Sequence, residues 1–241
     1  MPSWFTTSEA RTFSYTGREK FATVWKTWCE IKDEDSRRRA IYVYGSMGYG
    51  KSHILAALAC LLIHKGERVI YVPDCRALLH RPVHYLRNAF LLAFADSKSH
   101  QTRILQCNDL NAMADYCANY KDRLCFIVDQ VNALKPELAG DDNVTKEDKE
   151  TCRTILTEMQ EGHVSIESAS ANHMTAWRMR AEQTDEQKIR LLGGMTMVRE
   201  LPSNFSCRDV EPPICFSQKC LSGGRAMPKT SQVSVKWRST K

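Results

Sequence analysis

The 241-residue sequence lacks an apolar run long enough to cross a membrane. A spanning helix needs about 18 or more consecutive apolar residues, whereas the longest run here, ILAALACLLI, has ten. The start of the chain, MPSWFTTSEARTFSYTGREK, also lacks the apolar segment of a secretory signal peptide. We therefore expect a soluble, intracellular protein that does not contact membranes.

Paired cysteines at metal-site spacing are also missing. The ten cysteines include no CxxC pair, and Cys60 and Cys125 lie within apolar runs. This pattern is typical of buried, reduced thiols rather than of a disulfide framework or a zinc ribbon. An apolar content of 43% is sufficient to bury a core and excludes a disordered chain.

Acidic residues are scarce near the end of the sequence. Residues 201–241 contain seven Lys or Arg against two acids, Asp209 and Glu211, so that +5 of the net charge of +6 lies there. A basic segment can bind nucleic acid through its phosphates. However, aromatic residues are not regularly interleaved with these charges, as expected for a solvated end. We assign a basic, poorly ordered tail to residues 203–241, with nucleic-acid binding as the alternative.

A glycine-rich motif stands between a strand-like and a helix-like segment. Gly45, Gly50, Lys51 and Ser52 occupy the four fixed positions of the pattern GxxxxGK[ST]. The preceding AIYVY is β-branched and aromatic, and the following SHILAALACLLIHKG is rich in helix formers. Strand, loop and helix in this order predict a phosphate-binding loop rather than an isolated glycine turn.

The residues of this loop have defined chemical roles in binding a triphosphate. Glycine adopts the positive φ angles that turn backbone N–H groups towards a phosphate. Lys51 is expected to reach the β- and γ-phosphates, and the Ser52 hydroxyl to bind Mg²⁺ at the N-terminus of a helix, whose dipole favours anions. The predicted nucleotide-binding residues are Gly45, Ser46, Met47, Gly48, Tyr49, Gly50, Lys51 and Ser52.

The rest of the chain alternates strand-like and helix-like segments. Three further strands are predicted in ERVIYVPD (67–74), LCFIVDQ (124–130) and HVSIESAS (163–170). The predicted helices cover residues 17–33, 82–96, 108–122 with Asn108 as N-cap, and 146–160. Such alternation predicts an α/β fold in which helices flank a parallel sheet and the ligand lies beyond the carboxyl ends of the strands.

Two polar residues follow the apolar run CFIV of the third predicted strand. Asp129 stands where a P-loop protein has its second contact to Mg²⁺. Gln130 stands where many P-loop ATPases that hydrolyse ATP have a glutamate as general base. A neutral amide cannot accept the proton of the attacking water, although it can orient that water. We therefore expect slow hydrolysis, with Lys51 and Gln130 as the catalytic residues.

The tetrapeptide TKED (145–148) matches the [NT]KxD pattern with which GTPases recognise guanine. No buried strand precedes it, and the accompanying DxxG pattern fails because Asn132 stands three places after Asp129. Guanine specificity is therefore not expected.

Five segments together resemble a known family. In chain order they are GSMGYGKSHILAAL, RVIYVPDCRALL, FIVDQVNAL, SIESASAN and LLGGMT. They resemble the P-loop ATPase domain of Crinkler-type effectors and of the related retrotransposon hot spot proteins, over about residues 17–200. This resemblance implies an AAA+/STAND-like fold with ATP and Mg²⁺ as cofactors, and Ser170 and Asn172 as candidate sensors of the γ-phosphate. It also implies secretion into a host cell and action in its nucleus.

Three regions are therefore expected: a helical lead-in (1–36), a P-loop NTPase domain (37–202) and the basic tail (203–241). The expected function is ATP binding as a slow ATPase or nucleotide-dependent switch, which acts on a protein partner or through self-association. Helical and strand periodicity both end near residue 202, as in a truncated effector. Two alternatives remain open. One is a phosphotransferase whose small-molecule acceptor contacts DCR (74–76), and the other is a nucleotide-binding module without turnover.

Overall fold

The computed structural model describes residues 13–16, 19–32, 39–45, 48, 50–136, 144–169, 187–190 and 232–235. The chain divides into two compact units, of which one is Thr23–Leu192 and the other combines Met1–Ala22 with Gly193–Lys241. The described elements, in chain order, are β1 (Phe13–Thr16), α1 (Glu19–Ile31), β2 (Arg39–Tyr44), α2 (Lys51–His64), β3 (Arg68–Val72), α3 (Cys75–His80), α4 (Pro82–Ala93), α5 (Lys98–Gln106), α6 (Leu110–Ala118), β4 (Leu124–Val128), a 3₁₀ helix (Val131–Leu134), α7 (Lys146–Gln160), β5 (Val164–Ser168), β6 (Gln187–Arg190) and β7 (Gln232–Val235).

A five-stranded parallel sheet lies at the centre of the Thr23–Leu192 unit. Its strand order is β3-β4-β5-β2-β6, and all neighbouring pairs are parallel. The glycine-rich loop connects β2 to α2, as in P-loop NTPases. The predicted fold class, a parallel α/β sheet flanked by helices, is therefore confirmed. One consequence of the strand order matters for the site: β5 lies between β2 and β4.

The other unit contains β1 and β7, which pair antiparallel, with Phe13 opposite Val235 and Thr16 opposite Gln232. β7 lies within the basic segment 203–241. The remaining residues of that segment lie outside the described part of the chain.

Apolar side chains cover the central sheet. All five residues of β4 are buried, and the ring of Phe126 packs edge-on against Phe90 of α4, with centroids 6.2 Å apart. Val24 and Trp28 of α1 are also buried, so that this helix has an apolar face. Strands buried on both faces have nearly continuous apolar sequences, and this property made β2, β3 and β4 recognisable from sequence, whereas apolar and polar residues alternate in β5.

Some elements differ from the sequence prediction. The helix expected over 108–122 is α6, and its N-cap is Asp109 rather than Asn108, because the Asp109 carboxylate accepts the N–H of Ala112 at 2.8 Å. Helices α3 and α5, the 3₁₀ helix and strands β1, β6 and β7 were not predicted. β6 has four residues, QKIR, of which one is apolar. So short a segment carries no recognisable periodicity.

The TKED tetrapeptide forms the start of α7. The Thr145 hydroxyl accepts the N–H of Asp148 at 3.1 Å, and the Asp148 carboxylate accepts the N–H of Thr145 at 3.0 Å. These two bonds form a capping box. The Thr145 hydroxyl also donates to the Asp148 carboxylate at 2.8 Å, and this bond, together with the one from the Thr145 N–H, holds the pKa of Asp148 below its usual value. The pattern that resembles a guanine-recognition motif thus has a structural role as a helix cap.

The seven cysteines within the described residues are free thiols. Burial raises the pKa of Cys60 to about 11 and that of Cys125 to about 12. Both thiols are therefore protonated and poorly reactive at neutral pH. In the same part of the chain, no helix combines the length and apolar character of a membrane span.

Candidate nucleotide-binding site

The glycine-rich loop leads from the carboxyl end of β2 into the first turn of α2. Gly50 caps α2 with φ 75° and ψ 26°, and Gly48 has φ 82°. Both lie in the left-handed region, which costs residues with a Cβ about 1 kcal/mol or more. No atom of the described residues would lie within 4 Å of a Cβ at Gly48. The backbone angle, rather than crowding, therefore favours glycine there.

The loop residues Ser46, Met47 and Tyr49 lie outside the described residues. Gly45, Gly48, Gly50, Lys51 and Ser52 are described, and they fall where the motif predicts, between β2 and the first turn of α2.

Lys51 is buried, with only 5% of its surface exposed. Its ammonium group donates a hydrogen bond to the carbonyl of Gly45, at an N–O distance of 2.8 Å. Lys51 is therefore not a solvent-facing loop residue, because α2 begins at this residue and its side chain folds back to the carbonyl of Gly45. Burial lowers the pKa of Lys51, and the charge of Asp129 opposes this shift. The ammonium and the carboxylate are thus close enough to interact.

Asp129 follows β4 directly and is 1% exposed. Its backbone N–H donates to the carbonyl of Val72 at 2.8 Å, which ties it to the neighbouring strand β3. Oδ1 accepts the N–H of Gln130 at 2.8 Å and the hydroxyl of Ser168. Oδ2 is buried without a hydrogen-bond partner among the described residues. A buried oxygen without a hydrogen-bond donor lowers the stability of the folded protein unless a ligand or a water molecule donates to it.

The residues at this edge of the sheet fit a magnesium ion. Mg²⁺ prefers oxygen ligands, and it usually keeps several waters and binds one or two protein groups together with phosphate oxygens. The Ser52 hydroxyl lies in the first turn of α2, and Asp129 Oδ2 could accept from a metal-bound water. No cluster of three or more His, Cys, Asp or Glu able to hold a metal occurs within the described residues.

Gln130 has an unusual backbone conformation. With φ 61° and ψ 36°, it is the one described residue other than glycine with a positive φ. This conformation costs a residue with a Cβ about 1 kcal/mol or more, and such strain is found most often at functional sites. Gln130 precedes the 3₁₀ helix and is partly exposed, and its backbone N–H donates to Asp129.

The two predicted sensor residues, Ser170 and Asn172, lie outside the described residues. The polar residue that the structure does bring to Asp129 is Ser168, the last residue of β5, whose side chain is fully buried. Sequence reasoning missed it because the contact depends on β5 lying next to β4, and strand order is not visible in a single sequence. The available signal was a hydroxyl at the end of a strand, VSIES, in which apolar and polar residues alternate.

The DCR segment has mainly structural roles. The Asp74 carboxylate caps α3 by accepting the N–H of Arg76 at 2.8 Å. Cys75 is completely buried. Arg76 is exposed, Asp74 is partly exposed and engaged as the helix cap, and Cys75 is inaccessible.

Several solved structures are similar in fold. Domain III of the Thermotoga maritima replication initiation protein DnaA has a TM-score of 0.45 and 13% identity, covering 75% of this chain and 65% of that one. The AMPPCP-bound DnaA from Aquifex aeolicus has a TM-score of 0.39 and 15% identity, with coverages of 74% and 48%. The Aeropyrum pernix ORC2 protein has a TM-score of 0.44 and 13% identity, with coverages of 79% and 50%. The chain thus spans between 48% and 65% of the length of these proteins.

No protein-family model matches the chain, and no curated protein matches it. None of the three structural similarities concerns the Crinkler or retrotransposon hot spot proteins. Because identities and TM-scores are this low, the likeness concerns the fold alone, and function has to be inferred from the residues of the site. The chain has the α/β fold of P-loop NTPases.

Proposed function

We propose that this chain binds ATP together with Mg²⁺ and acts as a nucleotide-dependent switch with slow hydrolysis. One observation carries the proposal. The Lys51 ammonium at the start of α2 lies near Asp129, whose Oδ2 is buried and lacks a partner in the described part of the chain. The Lys51 ammonium favours an anion, whereas the Asp129 carboxylate with which it interacts favours a cation. A triphosphate with a bound metal ion supplies both charges.

Different protein groups would bind different parts of such a ligand. Backbone N–H groups of the loop and of the first turn of α2 would bind phosphate oxygens, supported by the helix dipole. Lys51 would add positive charge at the β- and γ-phosphates, and for this its hydrogen bond to Gly45 must open or be shared. Ser52 and Asp129 would hold the metal. Mg²⁺, when bound, neutralises charge that develops on the phosphate oxygens.

Slow hydrolysis follows from the chemistry of Gln130. An amide side chain can orient the attacking water, but it does not take its proton. General-base catalysis contributes about 10²–10⁴-fold to typical enzymatic rates. A site without this contribution holds ATP for longer, as a conformational switch requires. The same residue would also suit a nucleotide-binding module without turnover, and ADP production by the wild-type protein distinguishes the two.

The phosphotransferase alternative makes a different prediction. ADP would then form only when a small-molecule acceptor is supplied. Of the DCR segment, which was expected to contact the acceptor, Cys75 is buried and the Asp74 carboxylate caps α3, which leaves Arg76 as the exposed side chain without a structural role in the helix cap. We therefore favour the switch.

The finer assignment to Crinkler-type or retrotransposon hot spot ATPases rests on the five sequence segments that carry the resemblance. Under this assignment, the switch would act on a protein partner or through self-association, in the nucleus of a host cell. Size-exclusion chromatography with ATP and with ADP tests self-association. An elution volume that is the same in both states would count against it.

Nucleic acid is a second proposed partner, through the basic residues of the segment 203–241. Apart from β7, this segment lies outside the described residues, so that the proposal depends on its charge alone. Binding of a DNA duplex should weaken as salt increases, and removal of residues 203–241 should reduce both the affinity and its salt dependence. Equal DNA binding with and without the segment would contradict the proposal.

The central experiment is equilibrium binding of ATP, with Mg²⁺ and with EDTA, to the wild type and to Lys51→Ala. We expect the substitution to weaken ATP binding by about 10- to 100-fold, because a charge-assisted hydrogen bond is typically worth 1.5–3 kcal/mol. Since the aliphatic part of Lys51 is buried, Lys51→Met serves as a second variant that keeps its packing. Lys65→Ala is the matched control, because Lys65 is an exposed lysine at the opposite end of α2. ATP binding that is unchanged in both Lys51 variants would overturn the proposed function.

A further inference from the structure

Ser168 and Asp129 are neighbours because of the register of the central sheet. Val128 of β4 lies opposite Glu167 of β5, so that the next residues of the two chains, Asp129 and Ser168, come side by side at the carboxyl edge. On its other side, Ser168 lies opposite Val43 of β2, two residues before the glycine-rich loop. Ser168 therefore stands between the two strands that carry the nucleotide-binding groups.

The hydrogen bond of Ser168 makes the two oxygens of the Asp129 carboxylate unequal. Oδ1 accepts both the Ser168 hydroxyl and the backbone N–H of Gln130. Oδ2 has no partner within the described residues. The last torsion of an aspartate side chain is broad and roughly two-fold. A carboxylate held by one hydrogen bond alone can therefore turn and exchange its two oxygens, whereas two bonds to the same oxygen fix its orientation.

We propose that Ser168 is a positioning residue, which fixes the Asp129 carboxylate so that Oδ2 faces the water shell of the magnesium ion. This inference rests on the proposed ATP- and Mg²⁺-binding function. The Ser168 side chain is 0% exposed and its hydroxyl proton is used by Asp129. It acts through Asp129 and not by contact with the nucleotide. Groups that orient metal-binding side chains typically contribute about 10- to 100-fold to metal affinity.

A matched control lies on the same strand. Ser165 is also buried, with 6% exposure, but it lies opposite Ala40 and Phe126, three residues before Ser168 and away from the carboxyl edge. Ser165→Ala and Ser168→Ala remove the same hydroxyl group from the same buried strand. A role of Ser168 in folding alone would lower stability without changing how ATP binding depends on metal.

The experiment measures binding of a fluorescent ATP analogue to the full chain while Mn²⁺ or Mg²⁺ is titrated, and again in EDTA. For Ser168→Ala we expect the metal concentration at half-maximal binding to rise by about tenfold, with metal-free nucleotide affinity within about twofold of the wild type. Ser165→Ala should titrate like the wild type. Ser168→Cys, which keeps the shape but donates only weakly, should shift in the same direction and provides the test if the alanine variant does not fold.

The outcomes separate this inference from the proposed function. If the wild type binds ATP in a metal-dependent manner and a folded Ser168 variant shows the same metal titration, the positioning role is wrong and the proposed function stands. If the wild type binds no ATP, the proposed function is wrong and the positioning role falls with it. A shift of equal size in Ser165→Ala would also overturn the inference, because it would show a general effect of altering β5.

Discussion

The two ends of the central sheet use buried polar groups in opposite ways. At the amino end, His163 accepts the N–H of Leu124 through Nδ1 at 3.3 Å and donates from Nε2 to the carbonyl of Cys117 at 3.2 Å. Both ring nitrogens are thus used within the protein. At the carboxyl end, Asp129 keeps an oxygen that has no partner in the described part of the chain. Buried polar groups contribute to stability at the first end and remain available to a ligand at the second.

The same contrast appears in charge and backbone strain. At the amino end, burial lowers the pKa of His163, so that the ring is neutral at physiological pH. The carboxyl end combines an ammonium, a carboxylate and the left-handed residue Gln130 in one place. Backbone strain and buried charges lower stability and are found most often at functional sites. Their position therefore marks the carboxyl end of the sheet as the candidate site.

The largest expected effect concerns catalysis at the carboxyl end. Gln130→Glu supplies a general base, and we expect hydrolysis of ATP to increase by about 10²-fold or more, with ATP affinity nearly unchanged. Steady-state ADP production and equilibrium binding measure the two quantities. Fast hydrolysis by the wild type that falls in the glutamate variant would indicate that another residue is the base.

The second prediction compares two substitutions, one at each end of the central sheet. The substitution at the amino end should lower stability, and the one at the carboxyl end should change ATP binding. His163→Ala leaves the N–H of Leu124 and the carbonyl of Cys117 without their buried partner and opens a cavity, which should cost about 2–4 kcal/mol of unfolding free energy. Its ATP affinity should remain that of the wild type at a temperature where the variant is folded. Denaturant unfolding and nucleotide binding provide the two measurements.

Asp129→Asn is the counterpart of this variant at the carboxyl end. It keeps the side-chain shape and removes a buried charge, so that stability should change by about 1 kcal/mol or less, while the dependence of ATP binding on Mg²⁺ should be lost. If His163→Ala abolished ATP binding in the folded protein, or Asp129→Asn mainly unfolded it, the division of roles between the two ends would be wrong.

The third prediction is a pH dependence that originates at the amino end. Because the pKa of His163 is lower in the folded chain than in the unfolded chain, the unfolded state takes up a proton first as the pH falls below about 6.5. Stability is therefore fully present above that pH and decreases below it, by at most about 1.4 kcal/mol per pH unit, until the folded pKa is reached. His163→Gln should remove this component between pH 7 and 5.5. An identical pH profile in the wild type and His163→Gln would contradict it.

The smallest expected effect is that of the basic segment. Deletion of residues 203–241 removes β7, whose partner β1 belongs to the same unit. The five-stranded sheet of the Thr23–Leu192 unit keeps all of its strands. Its unfolding free energy should therefore change by less than about 1 kcal/mol. A large decrease would show that the segment supports the central sheet.

The sequence revealed those parts of the site that depend on local chemistry. The glycine-rich loop and the apolar strand before Asp129 are local patterns, and both have the predicted places in the fold. The contact of Ser168 with Asp129 depends on strand order, a non-local property that periodicity does not encode. The burial of Lys51 depends on its side chain folding back to the carbonyl of Gly45, and the positive φ of Gln130 is a single backbone angle. Neither leaves a recognisable pattern in the sequence.

The left-handed backbone at Gln130 also limits how this protein can evolve. β-branched residues such as Val, Ile and Thr are strongly disfavoured in that conformation, whereas glycine and asparagine tolerate it. Glutamate has the same branching pattern as glutamine and meets the same backbone cost. A single substitution from an amide to a carboxylate is therefore open to the chain without a change in its fold. Under the proposed function, the step from a slow switch to a faster hydrolase is therefore a single substitution that the backbone tolerates.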